Sequence, residues 1–238
     1  MPNGLKRIKI KLFNLRKSLR GDYKRSYSQC GEDLMIDAIF TSLKIDKPSY
    51  IDIGAFQPRK LNNTYLLYRK GSRGINVEPN PLAMAAFKKE RPDDINLNIG
   101  ISDTPGTLDY YVMNASTLNT FSKHDAEENQ AKYGYRIEEV KKIETKGLSD
   151  ILATHNGGSF PDLLSIDTEG LDLRILKSID WKKSSPKVIC CETMSYHEGG
   201  KGAKIPEMSD FLHGVGYMTY GDTYINTIFV LKSLWERH

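Results

Sequence analysis

Short apolar runs alternate with stretches of helical period from residue 48 onward. The run 50–55 closes on Gly54, residues 62–70 carry a helical pattern stopped by Gly71, and 74–78 is the next strand-like run. Pro81 opens a helix to residue 89, since its fixed φ suits the first helical position. Residues 95–101 and 107–112 read as a third and a fourth strand, and 163–167 as a buried strand running into a turn at Glu169 and Gly170. A helix over 171–179, a strand over 187–192, a helix over 207–213 and a hairpin of 217–220 with 225–231 around Gly221 and Asp222 complete the pattern. Strands separated by helices need crossovers, so the predicted fold class is α/β. It is a mostly parallel sheet with helices on both faces and an antiparallel strand at its edge.

One interval breaks this rhythm. Residues 113–140 are rich in Asn, Ser, Thr, Lys and Glu with scattered apolar positions. The pattern predicts a substrate-facing loop over 114–121 and a polar surface helix over 123–132, the alternative being a solvated insertion without a role.

Charge adds a second division. The formal net charge of +4 conceals nine Lys or Arg and a single acid in residues 1–25, leaving 25 basic against 29 acidic residues on 26–238. Leu5, Ile8, Leu12, Leu15 and Leu19 recur at helical spacing among those cations, which predicts a basic amphipathic helix over 1–25 ahead of a single domain, 26–238. Such a helix either docks on the domain or lies on an anionic membrane surface. The slightly acidic remainder argues against nucleic acid as a partner. Lys9, Lys11, Arg16 and Lys17 interrupt any signal-peptide core, and no run is long enough to span a bilayer, so the expected location is the cytoplasm, with peripheral contact at the inner face of the membrane. Cys30, Cys190 and Cys191 suggest neither a disulfide framework nor a zinc site, and the adjacent pair reads as buried strand residues.

Candidate chemistry lies where the strands end, because open parallel sheets bind ligands beyond their carboxyl edges. The ends carry Asp52, Gly54 and Ala55; Glu78, Pro79 and Asn80; Gly100, Ile101 and Ser102; and Asp167 followed by Glu169. Glu78, 26 positions after Asp52, is placed to accept hydrogen bonds from an adenosine ribose, and Gly54 to let a ligand approach the backbone. This pattern alone fits either a nicotinamide dinucleotide or S-adenosylmethionine. After Gly54 come Ala55, Phe56, Gln57 and Pro58, where a pyrophosphate would require further glycines. S-adenosylmethionine has no phosphate and needs none.

Five pieces in order then resemble the FkbM-type methyltransferases over roughly residues 26–230. They are Tyr27-Ser28-Gln29 with Gly31-Glu32-Asp33; Tyr50 to Ala55 with Asn63-Thr64; Gly74 to Pro81; Ser116 to Phe121; and Ser165 to Gly170 with Asp172. The departure lies at 56–60, where many members place Asn and Gly. The resemblance implies a Rossmann-like class I sheet, seven-stranded and mostly parallel with an antiparallel edge strand, and S-adenosyl-L-methionine as cofactor. It adds Gln29, Asn63 and Thr64 to the expected cofactor-binding set of Asp52, Gly54, Ala55, Glu78, Pro79, Asn80, Gly100, Ile101, Ser102 and Asp167. For Gln29, Glu32 and Asp33 a helix start capped from Ser28 is the competing explanation.

The implied reaction is methyl transfer to an oxygen, with a saccharide or glycosylated metabolite as acceptor. A sugar hydroxyl must lose a proton that it holds tightly at neutral pH. Either His197 acts as general base, with Asp167 and Glu169 in the active site, or Asp167, Glu169 and Glu192 hold Mg²⁺ or a similar divalent cation that acidifies the hydroxyl. A nicotinamide-dependent oxidoreductase and a non-catalytic adaptor remain as alternatives, and the closing hairpin is a surface on which a homodimer could form.

Overall fold

The computed structural model describes residues 24–168, 170–195 and 202–237. The expected basic helix lies outside the described residues, apart from Lys24 and Arg25. So do Glu169 and His197.

A helix, α1 (Glu32–Ser42), precedes the first strand, β1 (Tyr50–Ile53). The chain continues through α2 (Tyr65–Arg69), β2 (Gly74–Val77), α3 (Pro81–Glu90) and β3 (Ile95–Leu97). Two further strands, β4 (Gly100–Ile101) and β5 (Gly106–Met113), lead through a 3₁₀ turn at Ser116–Leu118 to α4 (Lys123–Tyr133) and β6 (Ile137–Lys146). Then come α5 (Leu148–His155), β7 (Leu163–Ile166), α6 (Asp172–Lys177), β8 (Val188–Glu192) and the short strands β9 (Met194–Ser195) and β10 (Ala203–Lys204). α7 (Pro206–Gly214), β11 (Tyr217–Asp222), β12 (Asn226–Leu231) and α8 (Lys232–Trp235) close the described chain.

Seven strands form one sheet in the order β11-β12-β8-β7-β1-β2-β3. The pairs from β8 to β3 are parallel, and β12 is antiparallel to both its neighbours. The period of two along each strand divides the core. Ile51, Ile53, Leu164, Ile166, Ile189 and Phe229 pack with residues of α5, α6 and α7, while Tyr50, Leu163, Val188, Ile228 and Val230 pack with α1 and α2. Helices therefore cover both faces, and Cys190 and Cys191 are fully buried in β8 as expected.

Four expectations need correction. The antiparallel strand is not at the edge: β12, buried from Asn226 to Val230, sits between β8 and β11. The more polar β11 takes the edge, where exposed Thr219 and Tyr220 meet water and a bulge interrupts pairing. The hairpin turn is at Thr223 to Ile225, since Gly221 and Asp222 remain paired with Ile228 and Thr227. Tyr224 takes φ 77° there, its N–H bonded to Asp222 Oδ1 at 2.6 Å.

The third strand is two strands. Asn98 donates to the carbonyls of Glu78 and Pro79, both at 2.9 Å, and the chain leaves the main sheet. β4 then joins a separate three-stranded sheet, β4-β6-β5, which also takes β5. Its central strand, β6, was not expected, nor was the helix α5 that follows it: in β6, Ile137, Val140 and Ile143 are spaced by three among Glu and Lys, so no alternation marks a strand. Antiparallel pairing with β5 along its length supplies what its own pattern lacks.

Candidate functional site

The carboxyl ends of β1, β2, β7 and β8 open into a cleft of about 270 Å³, walled on the other side by β4, Tyr110 and residues 116–121. Of the expected residues, Gln29, Asp52, Gly54, Ala55, Asn63, Glu78, Pro79, Asn80, Gly100, Ile101, Asp167 and Glu192 line it. Thr64 stands behind Asp52 rather than in the cleft. Ser102 is also absent from the walls; it is buried, and its Oγ accepts the N–H of Thr104 at 3.1 Å.

Glu78 follows the last residue of β2 and is oriented by the backbone. Its Oε2 accepts the N–H of Phe56 at 2.8 Å and its Oε1 that of Asn80 at 2.7 Å. Each carboxylate oxygen has a second lone pair, so two acceptor positions remain for a ligand. Burial, with a smaller contribution from the nearby charge of Asp52, pushes the Glu78 pKa up to about 7 against those two N–H bonds.

Gly54 turns the chain at φ 72°, and a Cβ there would stand 1.7 Å from the carbonyl oxygen of Asp167. The expected reason for this glycine was close approach of a ligand. The structure adds a stricter one, the contact of the β1 turn with the end of β7.

Asp52 is buried at the cleft floor. Its Oδ2 accepts from Thr64 Oγ1 at 2.8 Å and from Asn62 Nδ2 at 3.1 Å. Behind these two lies Arg91, fully buried at the end of α3. Its guanidinium donates to Asn62 Oδ1 (3.1 Å), Thr64 Oγ1 (3.0 Å), Tyr50 Oη (2.7 Å) and Asp94 Oδ2 (2.8 Å). Asp94 is held in turn by Tyr50 Oη and the N–H of Gly74. Desolvation raises the Asp52 pKa, with the Arg91 charge opposing it.

The chain matches the family model described as "Methyltransferase FkbM domain" over residues 52–218. It belongs to the FkbM methyltransferase family. A comparison with curated proteins finds no match.

The matched span carries the cleft lining from Asp52 to Glu192, while Gln29 and Ile225 join the walls from outside it. On the β8 side of this FkbM chain, burial and the neighbouring acids Asp167 and Asp172 push Glu192 up to about 9. Asp172 Oδ1 accepts the N–H of Thr168 at 3.0 Å, fixing the turn into α6. Of the three expected metal ligands, Asp167 and Glu192 face the cleft, and the third, Glu169, lies outside the described residues. Among the described residues, the group of three ligating side chains that comes together is His124, Asp125 and Glu128 on the surface of α4.

Of the segment 114–121, expected to face substrate, Ser116 to Asn119 and Phe121 line the cleft. Asn119 Oδ1 accepts the N–H of Met113, Thr120 bridges to Tyr111, and Ser122 caps α4 through the N–H of Asp125. Phe121 packs on Tyr110 with ring centroids 4.9 Å apart and closes over Gly100, where a Cβ would lie 2.6 Å from its ring.

Several wall residues were not among the expected site residues: Phe56, Leu61, Asn62, Tyr110 and Ile225, with Ser165 and Thr168 read only as part of the piece Ser165 to Gly170. Phe56 and Leu61 adopt positive φ, 53° and 50°, in the loop after β1. Arg91 escaped the sequence reading as well, lying just beyond the helix expected to run from Pro81 to residue 89. None of the helices among the described residues is long and apolar enough to cross a membrane.

Proposed function

We propose that this chain is an S-adenosylmethionine-dependent O-methyltransferase of Rossmann-like class I architecture, acting on a hydroxyl of a saccharide or glycosylated metabolite. The observation that carries this reading is the charge of the cleft. Its walls hold Asp52, Glu78, Asp167 and Glu192, and among the described lining residues there is no Lys, Arg or His. Such a donor set suits a ligand bearing ammonium and sulfonium cations, and it repels the pyrophosphate of a nicotinamide dinucleotide.

The remaining pieces fit the same ligand. Glu78 keeps acceptor positions for a ribose diol, and Val77, Ile99, Ile101 and Phe121 give an apolar wall suited to a purine. S-adenosylmethionine supplies an electrophilic methyl group. The chain's task is to hold an acceptor hydroxyl in line with it and to take the hydroxyl proton. Gln29, Asn63, Ser116, Thr117 and Asn119 add amides and hydroxyls to the lining, the chemistry that recognises sugars. Glu192, whose pKa burial and the neighbouring Asp167 and Asp172 raise, stands on the β8 side of the cleft, and His197, five residues beyond β8, is the proposed base. A divalent cation at Asp167, Glu169 and Glu192 is the competing route, and loss of turnover on chelation would select it.

Titration calorimetry with S-adenosylmethionine, S-adenosylhomocysteine and NAD tests the reading. S-adenosylhomocysteine should bind; binding of NAD alone would replace this reading with an oxidoreductase, and binding of none with an adaptor.

A further inference from the structure

Arg91 does not itself line the cleft, yet this fully buried cation hydrogen-bonds Asn62 and Thr64, the two side chains that hold the cleft carboxylate Asp52. An arginine with no exposed surface is costly to bury, and here every contact that offsets that cost is specific. Asp94 pairs with Nε and Tyr50 accepts at one terminal nitrogen. Two further donors go to Asn62 and Thr64, the same two side chains that hold Asp52.

That arrangement dictates direction. Asn62 Oδ1 accepts from Arg91 and from the N–H of Thr64, so its amide nitrogen must face the other way, toward Asp52 Oδ2 and the carbonyl of Ala55. Thr64 has one hydroxyl proton. With its oxygen accepting from Arg91 and the Asn62 oxygen already supplied with donors, that proton goes to Asp52. A guanidinium, which offers donors only, thereby leaves both side chains as donors to a single carboxylate oxygen.

We propose that Arg91 is a positioning residue for the donor site, acting through Asn62 and Thr64 to fix the Asp52 carboxylate at the cleft floor. This inference rests on the reading of the cleft as an S-adenosylmethionine site. Fixed in this way, Asp52 presents a pre-oriented negative charge to a cationic group of the ligand. The other ionisable groups near it, Glu78 from β2 and Cys190 from β8, provide no positive charge to replace Arg91.

The test is a double-mutant cycle read by calorimetry with S-adenosylhomocysteine. Arg91→Met and Thr64→Val should each weaken binding about tenfold in the wild-type background, the worth of a hydrogen bond to a charged group. In an Asp52→Asn background each should cost less than about twofold, because the group they act upon has lost its charge. Arg91→Lys, which keeps charge but not the fork, should fall between wild type and Arg91→Met. Equal losses in both backgrounds, or no loss in the wild-type background, would overturn the proposal. Should Arg91→Met fail to fold, the Thr64→Val cycle decides alone, since it leaves the Arg91–Asp94 pair intact. A wild-type protein that binds neither S-adenosyl compound would refute the proposed function itself, and this inference with it.

Discussion

Gly54 and Asp167 approach so closely that a Cβ on residue 54 would lie 1.7 Å from the Asp167 carbonyl oxygen. The turn after β1 and the end of β7 are thus fitted against each other, with φ 72° at the glycine. Gly54→Ala must push two strand ends apart and also occupy a left-handed backbone. The expected cost is about 3 kcal/mol or more of unfolding free energy, with loss of S-adenosylhomocysteine binding. Thermal and denaturant unfolding of the variant measures the first, calorimetry the second; an unchanged melting temperature would refute this account of the turn.

Glu78 gives the pH dependence. Its pKa is raised from the ordinary 4.5 to about 7, chiefly by burial. If, as proposed, a ribose diol donates to the ionised form, affinity for S-adenosylhomocysteine should be flat above about pH 7 and fall about tenfold per unit below it. The stability effect has the opposite sign. The folded state holds this proton more tightly than the unfolded chain, so stability falls by roughly 3 kcal/mol as pH rises from 4.5 to 7. Glu78→Gln should flatten that decline and weaken binding at pH 8 by about tenfold or more. A variant that binds as the wild type does at pH 8 would remove Glu78 from the ligand site.

Phe121 closes over Gly100 from the loop at 116–121. Phe121→Ala opens that wall without touching the main sheet, so binding should weaken several-fold while the melting temperature changes little. Circular dichroism and calorimetry on one preparation separate the two effects. A large loss of stability would instead make Phe121 a core residue.

His197→Ala should retain S-adenosylhomocysteine affinity and lose about a hundredfold or more in turnover, the usual worth of a general base. Complementation of a deletion strain, with mass spectrometry of its glycans for the loss of one methyl increment, reads this without a purified acceptor. Full complementation by the variant would exclude His197 as the base.

How much of this was legible follows from where information sits along the chain. The strand ends of the sheet, with Asp52, Gly54, Glu78 and Asp167, stand beside buried apolar runs, and their order alone brings them together. Arg91 was not legible because burial of a charged side chain is decided by partners distant in sequence, Tyr50 and Asn62 among them. Nor was β6, whose Glu and Lys side chains face water and whose strand character comes from its partner β5. The break at Asn98 depends on two carbonyls twenty residues earlier, which no local pattern reveals.

That break also has a modular consequence. After Leu97 the chain stays out of the seven-stranded sheet until Leu163, and within that excursion residues 106–146 form one uninterrupted stretch holding β5, the wall loop, α4 and β6. The grips at Asp52 and Glu78 lie wholly upstream of it. On the proposed reading, the acceptor wall is thus carried by a segment separate from the two carboxylates placed for the methyl donor, and a chimera that exchanges 106–146 but keeps Phe121 should hold its S-adenosylhomocysteine affinity within a few-fold.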